Sequence, residues 1–212
     1  VLFRSAEAAS AARVPLFIDA EESWIQGAID AWTEDLMRRY NRQRPIIHTA
    51  VQMYRKDRMA YLAGLIEDSK SRGYHLGVKL VRGAYIDKEN QRASRMGYES
   101  PMHASKTDTD AAFDAATTLC LDNLERVTLC VATHNVASVQ HLMAELEKRG
   151  VARGDPRVTV SQLLGMLDRV TFALGANGYN SLKYMPYGPL REVLPYLMRR
   201  ADENQSVTQE TA

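Results

Sequence analysis

Short apolar runs rich in β-branched residues alternate with longer amphipathic stretches along most of this 212-residue chain. Runs of this kind predict buried strands, and stretches with apolar residues three or four positions apart predict helices. The predicted strands are Pro15–Ala20, Ile46–Gln52, Leu76–Gly83, Val127–Asn135, Val158–Leu163, Val170–Leu174 and Leu182–Tyr187. The predicted helices between them are Trp24–Tyr40, Lys56–Arg72, Thr109–Leu124 and Val136–Arg149. This β–α order predicts an α/β fold with a parallel sheet and helical crossovers.

The number of predicted strands favours a barrel over an open sheet. A closed (β/α)8 TIM-type barrel needs eight strands, so we predict a distorted barrel that lacks its first strand in this chain. The alternative, a doubly wound sheet, would carry a Gly-rich phosphate turn after its first strand, and none follows Pro15–Ala20. The connection Leu164–Arg169 looks too short for a full helix, which indicates an irregularity there.

No linker or internal repeat divides the sequence, so we expect one domain over residues 1–212 with a flexible polar tail at 205–212. The chain has no initiator Met, and residues 1–5 resemble a translated sequencing adapter. We therefore expect the natural sequence to begin partway through a domain.

Composition excludes several classes of function. The net charge of +1 argues against a nucleic-acid or anionic-membrane surface. Cys120 and Cys130 are the only cysteines, without the spacing of a zinc site or a disulfide scaffold, which favours a reducing compartment. We find no apolar run long enough for a membrane span and no signal peptide pattern.

Polar side chains follow the predicted strands where each one ends. In a parallel barrel the carboxyl ends of the strands meet on one face, where active sites form. One polar residue at a strand end is more simply a hydrogen-bonded core group, but six such ends favour a large polar ligand above the barrel. They carry Asp19, Gln52, Arg82 with Tyr85, Thr133 to Asn135, Gln162, and Lys183 with Tyr184.

Two residues of the predicted strands have competing interpretations. His134 alone is more typical of a hydrogen-bonded core histidine, yet between Thr133 and Asn135 it is well placed to donate to a cofactor. Lys79 lies inside an apolar strand, where an unpaired charge is costly to bury. It could form a Schiff base, as in class I aldolases, or face a negatively charged ligand.

The C-terminal helix predicted around Tyr196 carries an unusual polar face. Helical spacing places Tyr196, Arg199, Arg200 and Glu203 on that face, while a stripe containing Leu190, Val193, Leu194, Leu197 and Ala201 packs. Adjacent guanidinium groups suit a carboxylate ligand, although most Arg-Arg pairs lie on solvated surfaces.

Several motifs together resemble the proline dehydrogenase family, in the family's order, over about residues 15–207. The last of these motifs is the most specific. The amino acids in the motifs resemble those of the single-function bacterial or mitochondrial branch of the family. The motifs are Phe17-Ile-Asp-Ala-Glu-Glu22, Val51-Gln-Met-Tyr54, Lys79-Leu-Val-Arg-Gly-Ala-Tyr85, Ala132-Thr-His-Asn135, Ser161-Gln-Leu-Leu-Gly-Met166, Tyr184-Met-Pro-Tyr-Gly-Pro189 and Pro195-Tyr-Leu-Met-Arg-Arg-Ala-Asp-Glu-Asn204.

The resemblance implies a role for each matching residue. Arg199 and Arg200 would clamp the substrate carboxylate, with Glu203 paired to that clamp. The substrate ring would lie among Tyr196, Tyr184, Leu163, Tyr85 and Ala84, with Asp19 supporting that side. The implied FAD contacts are Gln52 and Lys79 at the isoalloxazine, and Val81, Arg82, Gly83, Ala84, Thr133, His134 and Asn135 along the rest of the cofactor.

The implied activity is the oxidation of L-proline to Δ1-pyrroline-5-carboxylate by FAD, the first step of proline degradation, with quinone as electron acceptor. The resemblance implies a cytoplasmic enzyme with peripheral contact at the inner membrane, or a mitochondrial one in a eukaryote. The family's lysine-bearing first strand has no counterpart here, so we expect this chain to be unstable or poorly active without it. A Schiff-base lyase using Lys79 or Lys183, or an inactive binding fragment, are the alternatives. Gly175 to Gly178 is a weak phosphate-turn candidate for that lyase.

Overall fold

The computed structural model describes residues 2–191, 193, 194 and 196–198. Its strands are β1 (Leu16–Ile18), β2 (Ile47–Gln52), β3 (Leu76–Val81), β4 (Val127–Ala132), β5 (Val158–Leu163) and β6 (Ser181–Tyr184). Its helices are α1 (Leu2–Ala12), α2 (Ser23–Tyr40), α3 (Arg58–Arg72), α4 (Ile86–Met96), α5 (Lys106–Leu121), α6 (Val136–Lys148) and α7 (Asp168–Ala176). Leu190, Arg191, Val193, Leu194 and Tyr196–Met198 are also helical.

The six strands form one parallel sheet in the order β1-β2-β3-β4-β5-β6. Right-handed crossovers that always step in one direction leave every helix on the same face of the sheet. A doubly wound sheet instead reverses its strand order at a switch point. The sequential order therefore confirms the α/β barrel type and gives the described residues six of the eight strands of a closed barrel.

One predicted strand is wrong. Val170–Leu174 lies within α7, so the described residues contain six strands where the sequence predicts seven. Thr171 and Leu174 are buried and Val170 packs against the core, whereas Phe172 is 72% exposed, which is the three-to-four spacing of a helix. A short apolar run does not distinguish a strand from a buried helical turn. The Leu164–Arg169 connection therefore leads into a helix.

The two faces of the sheet have different neighbours. Val78, Leu80, Leu129 and Val131 belong to the apolar core that the helices complete. The alternating residues of the same strands point to the opposite face, because side chains alternate along a strand. Lys79 lies on that opposite face, so any ligand it meets is on the side away from the helices.

The N-terminal helix and the tail bear on the predicted boundaries. Residues 2–5 belong to α1, whose Ala6 is fully buried, and their suspected origin as an adapter stays a prediction. The tail at 205–212 lies outside the described residues, and the single-domain assignment stays a prediction too. Leu190, Leu194 and Leu197, expected to pack, are 72%, 46% and 41% exposed. None of the described helices is long and apolar enough to cross a membrane.

Candidate active site

Asp19, Lys79 and Tyr184 meet at the carboxyl edge of the sheet although they come from three distant parts of the sequence. The ammonium of Lys79 lies 2.6 Å from Oδ1 of Asp19. It also lies 5.9 Å from the ring centroid of Tyr184, within range of a cation–π interaction. The rings of Tyr184 and Tyr196 are in edge-to-face contact at 5.4 Å. A cation, a carboxylate and two aromatic rings therefore share one side of the sheet.

The sheet register explains why Lys79 faces this site. Lys79 pairs with Ala50 on β2 and Cys130 on β4, two small side chains that leave room beside its alkyl stem. Its side chain is 17% exposed, and the exposed carboxylate of Asp19 compensates its charge. Burial raises the pKa of Cys130 to about 11, so the thiol beside Lys79 stays protonated at neutral pH. Among the described residues paired here, Ala50, Lys79 and Cys130, Lys79 is the charged one, and Asp19 is its counter-ion.

Gln52 lies two residues after Ala50, on the same face as Lys79 and nearer the carboxyl edge. Its side chain is buried, and Nε2 donates to the backbone oxygen of Glu21 at 3.0 Å. Oε1 is also buried and has no hydrogen-bond partner among the described residues. A buried amide oxygen without a donor is costly, so Gln52 offers a free acceptor to a ligand on this face.

The segment after β3 shapes a cavity of about 300 Å³ that is lined by Ala84, Tyr85, Ile86, Asp87 and Lys88. Tyr85 donates its hydroxyl to Oε2 of Glu21 at 2.5 Å, so its ring is fixed against the loop after β1. Gly83 has φ +133°, and a Cβ there would overlap the ring of Tyr54. The chain can turn into α4 at this point only because residue 83 has no side chain.

Arg82 faces the helix layer, unlike Lys79. Its three guanidinium nitrogens donate to Asp110 at 2.6 Å, Thr133 at 2.7 Å and Ser138 at 2.9 Å. The guanidinium carbon lies 4.4 Å from the ring centroid of Phe113. Burial would raise the pKa of Asp110, but hydrogen bonds from Lys106 and Arg82 hold it below its usual value. Arg82 therefore joins β3, β4, α5 and α6.

The segment after β4 leads directly into the start of α6. Oδ1 of Asn135 caps α6 by accepting from the backbone amides of Ala137 and Ser138. Nε2 of His134 accepts from the backbone amide of Leu163 at 3.0 Å, which places the proton of a neutral ring on Nδ1. A helix N-terminus beside an arginine favours an anionic ligand group.

Leu163 and Val81 also lie on the face of the sheet that carries Lys79. Val81 pairs with Gln52 across β2 and β3, and Leu163 pairs with Tyr184 across β5 and β6. Both are partly buried. They offer apolar surface on the same face as Lys79, next to the aromatic rings.

Lys183 has a different environment from Lys79. Its side chain points toward the helix layer, pairs with Asp168 at 2.6 Å and donates to the carbonyls of Leu163 and Met166. The candidate phosphate turn, Gly175 to Gly178, covers the end of α7. A helix C-terminus carries partial negative charge and disfavours phosphate. Neither feature has the surroundings that a phosphate-binding Schiff-base lyase needs.

Sequence reasoning did not identify Glu21, Asp110 and Ser138. Asp110 and Ser138 meet Arg82 from 28 and 56 positions away, and such distances leave no local pattern. Glu21 lies inside a recognised motif, two residues after Asp19, so its position was a usable signal. Arg199, Arg200 and Glu203 lie outside the described residues.

Comparison with known proteins gives one consistent result. A family model described as proline dehydrogenase matches residues 2–212. "Proline dehydrogenase 1, mitochondrial" from Homo sapiens is 39% identical over 201 residues, which are 93% of this chain and 34% of that protein. "Hydroxyproline dehydrogenase" from Xenopus laevis is 39% identical over 212 residues, 98% of this chain and 46% of that protein.

A solved structure shows the same fold. Proline utilization A (PutA) from Bradyrhizobium japonicum superposes with a TM-score of 0.84 at 27% identity, covering 96% of this chain and 21% of that one. The chain spans less than half the length of each of these three proteins.

Proposed function

This chain belongs to the proline dehydrogenase family, and from that premise we propose that it oxidises L-proline to Δ1-pyrroline-5-carboxylate, with FAD as cofactor and a quinone as final electron acceptor. The observation that carries the proposal is the cluster of Asp19, Lys79 and Tyr184 at the carboxyl edge of the sheet. In the reaction, C5 of the ring, the carbon next to nitrogen that does not bear the carboxylate, loses a hydride to the flavin, and the ring nitrogen loses a proton. A C=N bond forms, and no nucleophile from the protein is needed.

FAD, when bound, would supply the hydride acceptor. The residues fit such a group in two places. The buried Oε1 of Gln52 lacks a donor among the described residues, and a flavin ring carries an N–H of the kind it needs. Lys79 supplies a fixed positive charge on the same face, where negative charge develops during hydride transfer. His134, Asn135 and the start of α6 suit the anionic part of the cofactor.

The substrate is positioned by aromatic and charged groups. Tyr184, Tyr196, Tyr85 and Leu163 provide apolar walls for a five-membered ring, while Asp19 holds Lys79 in place. We assign the substrate carboxylate to Arg199 and Arg200, with Glu203 as the ion-pair partner of that clamp. A bound ring held at both its carboxylate and its flat faces presents one carbon to the acceptor.

Two related substrates fit this description, because one relative is named for proline and another for hydroxyproline. We propose a preference for L-proline. The Tyr184 ring lies beside Lys79 and in contact with Tyr196. It would therefore crowd a 4-hydroxyl group on the substrate ring.

The proposal also covers where the enzyme passes its electrons to the quinone. Quinones reside in membranes, so we propose peripheral contact of this enzyme with the bacterial inner membrane, or a mitochondrial location in a eukaryotic source. The human relative's name includes "mitochondrial".

The test is a turnover assay of FAD-reconstituted protein with a soluble quinone. L-proline should yield the cyclic imine, while D-proline, which presents the opposite face to the acceptor, should not. Trans-4-hydroxy-L-proline should react more slowly. No imine from L-proline with flavin bound would contradict the proposed function, and comparable turnover of both substrates would contradict the preference.

A further inference from the structure

Glu21 is held at three points by residues on both sides of the candidate site. Its backbone amide donates to Oε1 of Gln26 at 2.7 Å, and its backbone oxygen accepts from Nε2 of Gln52 at 3.0 Å. Its carboxylate accepts the hydroxyl of Tyr85 at 2.5 Å, across 64 positions of sequence. One residue therefore contacts the Gln52 amide on β2 and the Tyr85 ring that precedes α4.

The loop that carries Glu21 is fixed by a second set of contacts to α4. Glu89 is fully buried, and its carboxylate accepts from the backbone amide of Ser23 at 2.6 Å and from the Ser23 hydroxyl at 2.7 Å. Lys88 forms an ion pair with Glu22. Because Glu89 satisfies an amide at the start of α2, it links the loop between β1 and α2 to α4.

We propose that Glu21 is a positioning residue whose carboxylate fixes the orientation of Tyr85 while its backbone oxygen holds Nε2 of Gln52. The inference rests on the proposed function, because it assigns Tyr85 to the substrate side and Gln52 to the cofactor side of one site. The carboxylate holds the phenol oxygen against the β1–α2 loop, which fixes the Tyr85 ring in the wall of the cavity after β3. The Glu21 backbone oxygen holds Nε2 of Gln52, which leaves Oε1 as the group that meets a ligand.

A rigid wall contributes to affinity because the ring loses no rotamer freedom on binding. Removing either member of the Tyr85–Glu21 hydrogen bond should therefore weaken ligand binding, and removing both should cost little more than removing one. A hydrogen bond to a charged group is of the strength that makes such coupling measurable.

The experiment is a double-mutant cycle read by ligand affinity. The probe is a five-membered-ring carboxylic acid without the amine, which keeps the shape of proline but cannot form the C=N bond. Glu21→Ala and Tyr85→Phe should each raise its dissociation constant by about tenfold. The double variant should match either single one. Glu21→Gln keeps an acceptor oxygen and should recover most of the affinity.

The matched control uses a similar pair far from the site. Tyr61 donates to Glu34 at 3.3 Å between α2 and α3, so Glu34→Ala and Tyr61→Phe change stability without touching the cavity. Their effects on the dissociation constant should be small. With L-proline, the Glu21 and Tyr85 variants should raise KM more than they lower kcat, a division that general destabilisation would not produce.

The outcomes separate this inference from the proposed function. Additive effects of Glu21→Ala and Tyr85→Phe in a protein that oxidises L-proline would overturn the positioning role alone. Coupled effects on binding in a protein with bound flavin that does not oxidise L-proline would overturn the function alone. Failure of the parent protein to bind the probe would overturn the inference as well.

Discussion

Lys79 and Lys183 show how position on a strand decides the chemistry of a lysine. Lys79 points away from the helices toward Asp19 and Tyr184, whereas Lys183 points into the helix layer and holds the segment before α7. Both are ion-paired, Lys79 with Asp19 and Lys183 with Asp168. The positions therefore favour an electrostatic role for Lys79 and a structural role for Lys183.

Replacing these lysines one at a time tests that difference. Lys79→Gln should slow flavin reduction by L-proline roughly 100-fold, because a fixed charge beside the acceptor is lost. Lys183→Gln should lower the melting temperature and leave the rate within a few-fold of the parent. Stopped-flow absorbance of both variants measures this. Equal rates for Lys79→Gln and the parent would contradict the electrostatic role of Lys79. A borohydride-trapped adduct on either lysine would instead support the Schiff-base alternative.

His48 is a titratable group buried under the site. Its ring stacks on Phe17 with centroids 4.5 Å apart, and it is 3% exposed. Burial lowers the pKa of His48 from 6.5 to about 4, against the opposing effect of a hydrogen bond to the backbone of Pro45. Below pH 6.5 the His48 imidazole binds a proton in the unfolded chain, whereas in the folded chain it stays neutral down to about pH 4. The contribution of a neutral His48 to stability is therefore lost as the pH falls through this window.

We expect His48→Gln to remove this pH dependence. Between about pH 7 and about pH 5 the parent should lose roughly 2 kcal/mol more unfolding free energy than the variant. Denaturant unfolding at the two pH values measures the difference. His75→Gln is the matched control, because burial and Arg126 lower the pKa of His75, but this residue is less buried. An equal loss in parent and His48→Gln would contradict the account.

The joints between elements depend on a few buried polar groups, and Asn41 is the clearest. This residue ends α2 and is fully buried. Its Nδ2 donates to the carbonyls of Ile47 and His75, and its Oδ1 accepts from the amides of Ile46 and Ile47. One side chain thus joins the end of α2 to the starts of β2 and β3.

Asn41→Ala should destabilise the protein by about 3–5 kcal/mol, since several buried backbone groups lose their partners at once. Asn177→Ala is the control, because the Asn177 side chain makes one exposed hydrogen bond to Ala173, and its loss should cost less than about 1 kcal/mol. Thermal or denaturant unfolding compares the two. Similar small losses in both variants would mean that Asn41 does not carry this joint.

Among the helices and strands, those with a strong hydrophobic pattern are predicted from the sequence and those with a weak pattern are missed. The predicted strands at residues 76, 127 and 158 begin where the observed ones do, because these runs are long and apolar. The sequence pattern failed at Val170–Leu174, where a helix of nine residues looks like a strand. It also missed α4, whose residues Ile86–Met96 are mostly polar and bury only Glu89 and Ala93. A helix held by a buried carboxylate leaves little apolar periodicity to detect.

Over the whole molecule, the strand order determines which residues share the site. Because all strands are parallel and sequential, every carboxyl end lies at one edge, where the polar strand ends predicted from the sequence are found. The side chains of Arg82, Gln162 and Lys183 nevertheless contact the helix layer. The motif alone does not give the direction of each side chain, which follows from strand alternation once the strand is known. Lys79 and Arg82 lie three positions apart, and one faces the ligand side while the other faces Asp110 and Phe113.

The most direct measurement is the visible spectrum of FAD-reconstituted protein, recorded without oxygen before and after the addition of L-proline. The account predicts a bound flavin with the absorbance band of its oxidised form at about 450 nm. This band should be lost on addition of L-proline and kept on addition of D-proline. A bound flavin that stays oxidised with L-proline would contradict the proposal that this sheet edge is a proline-oxidising site.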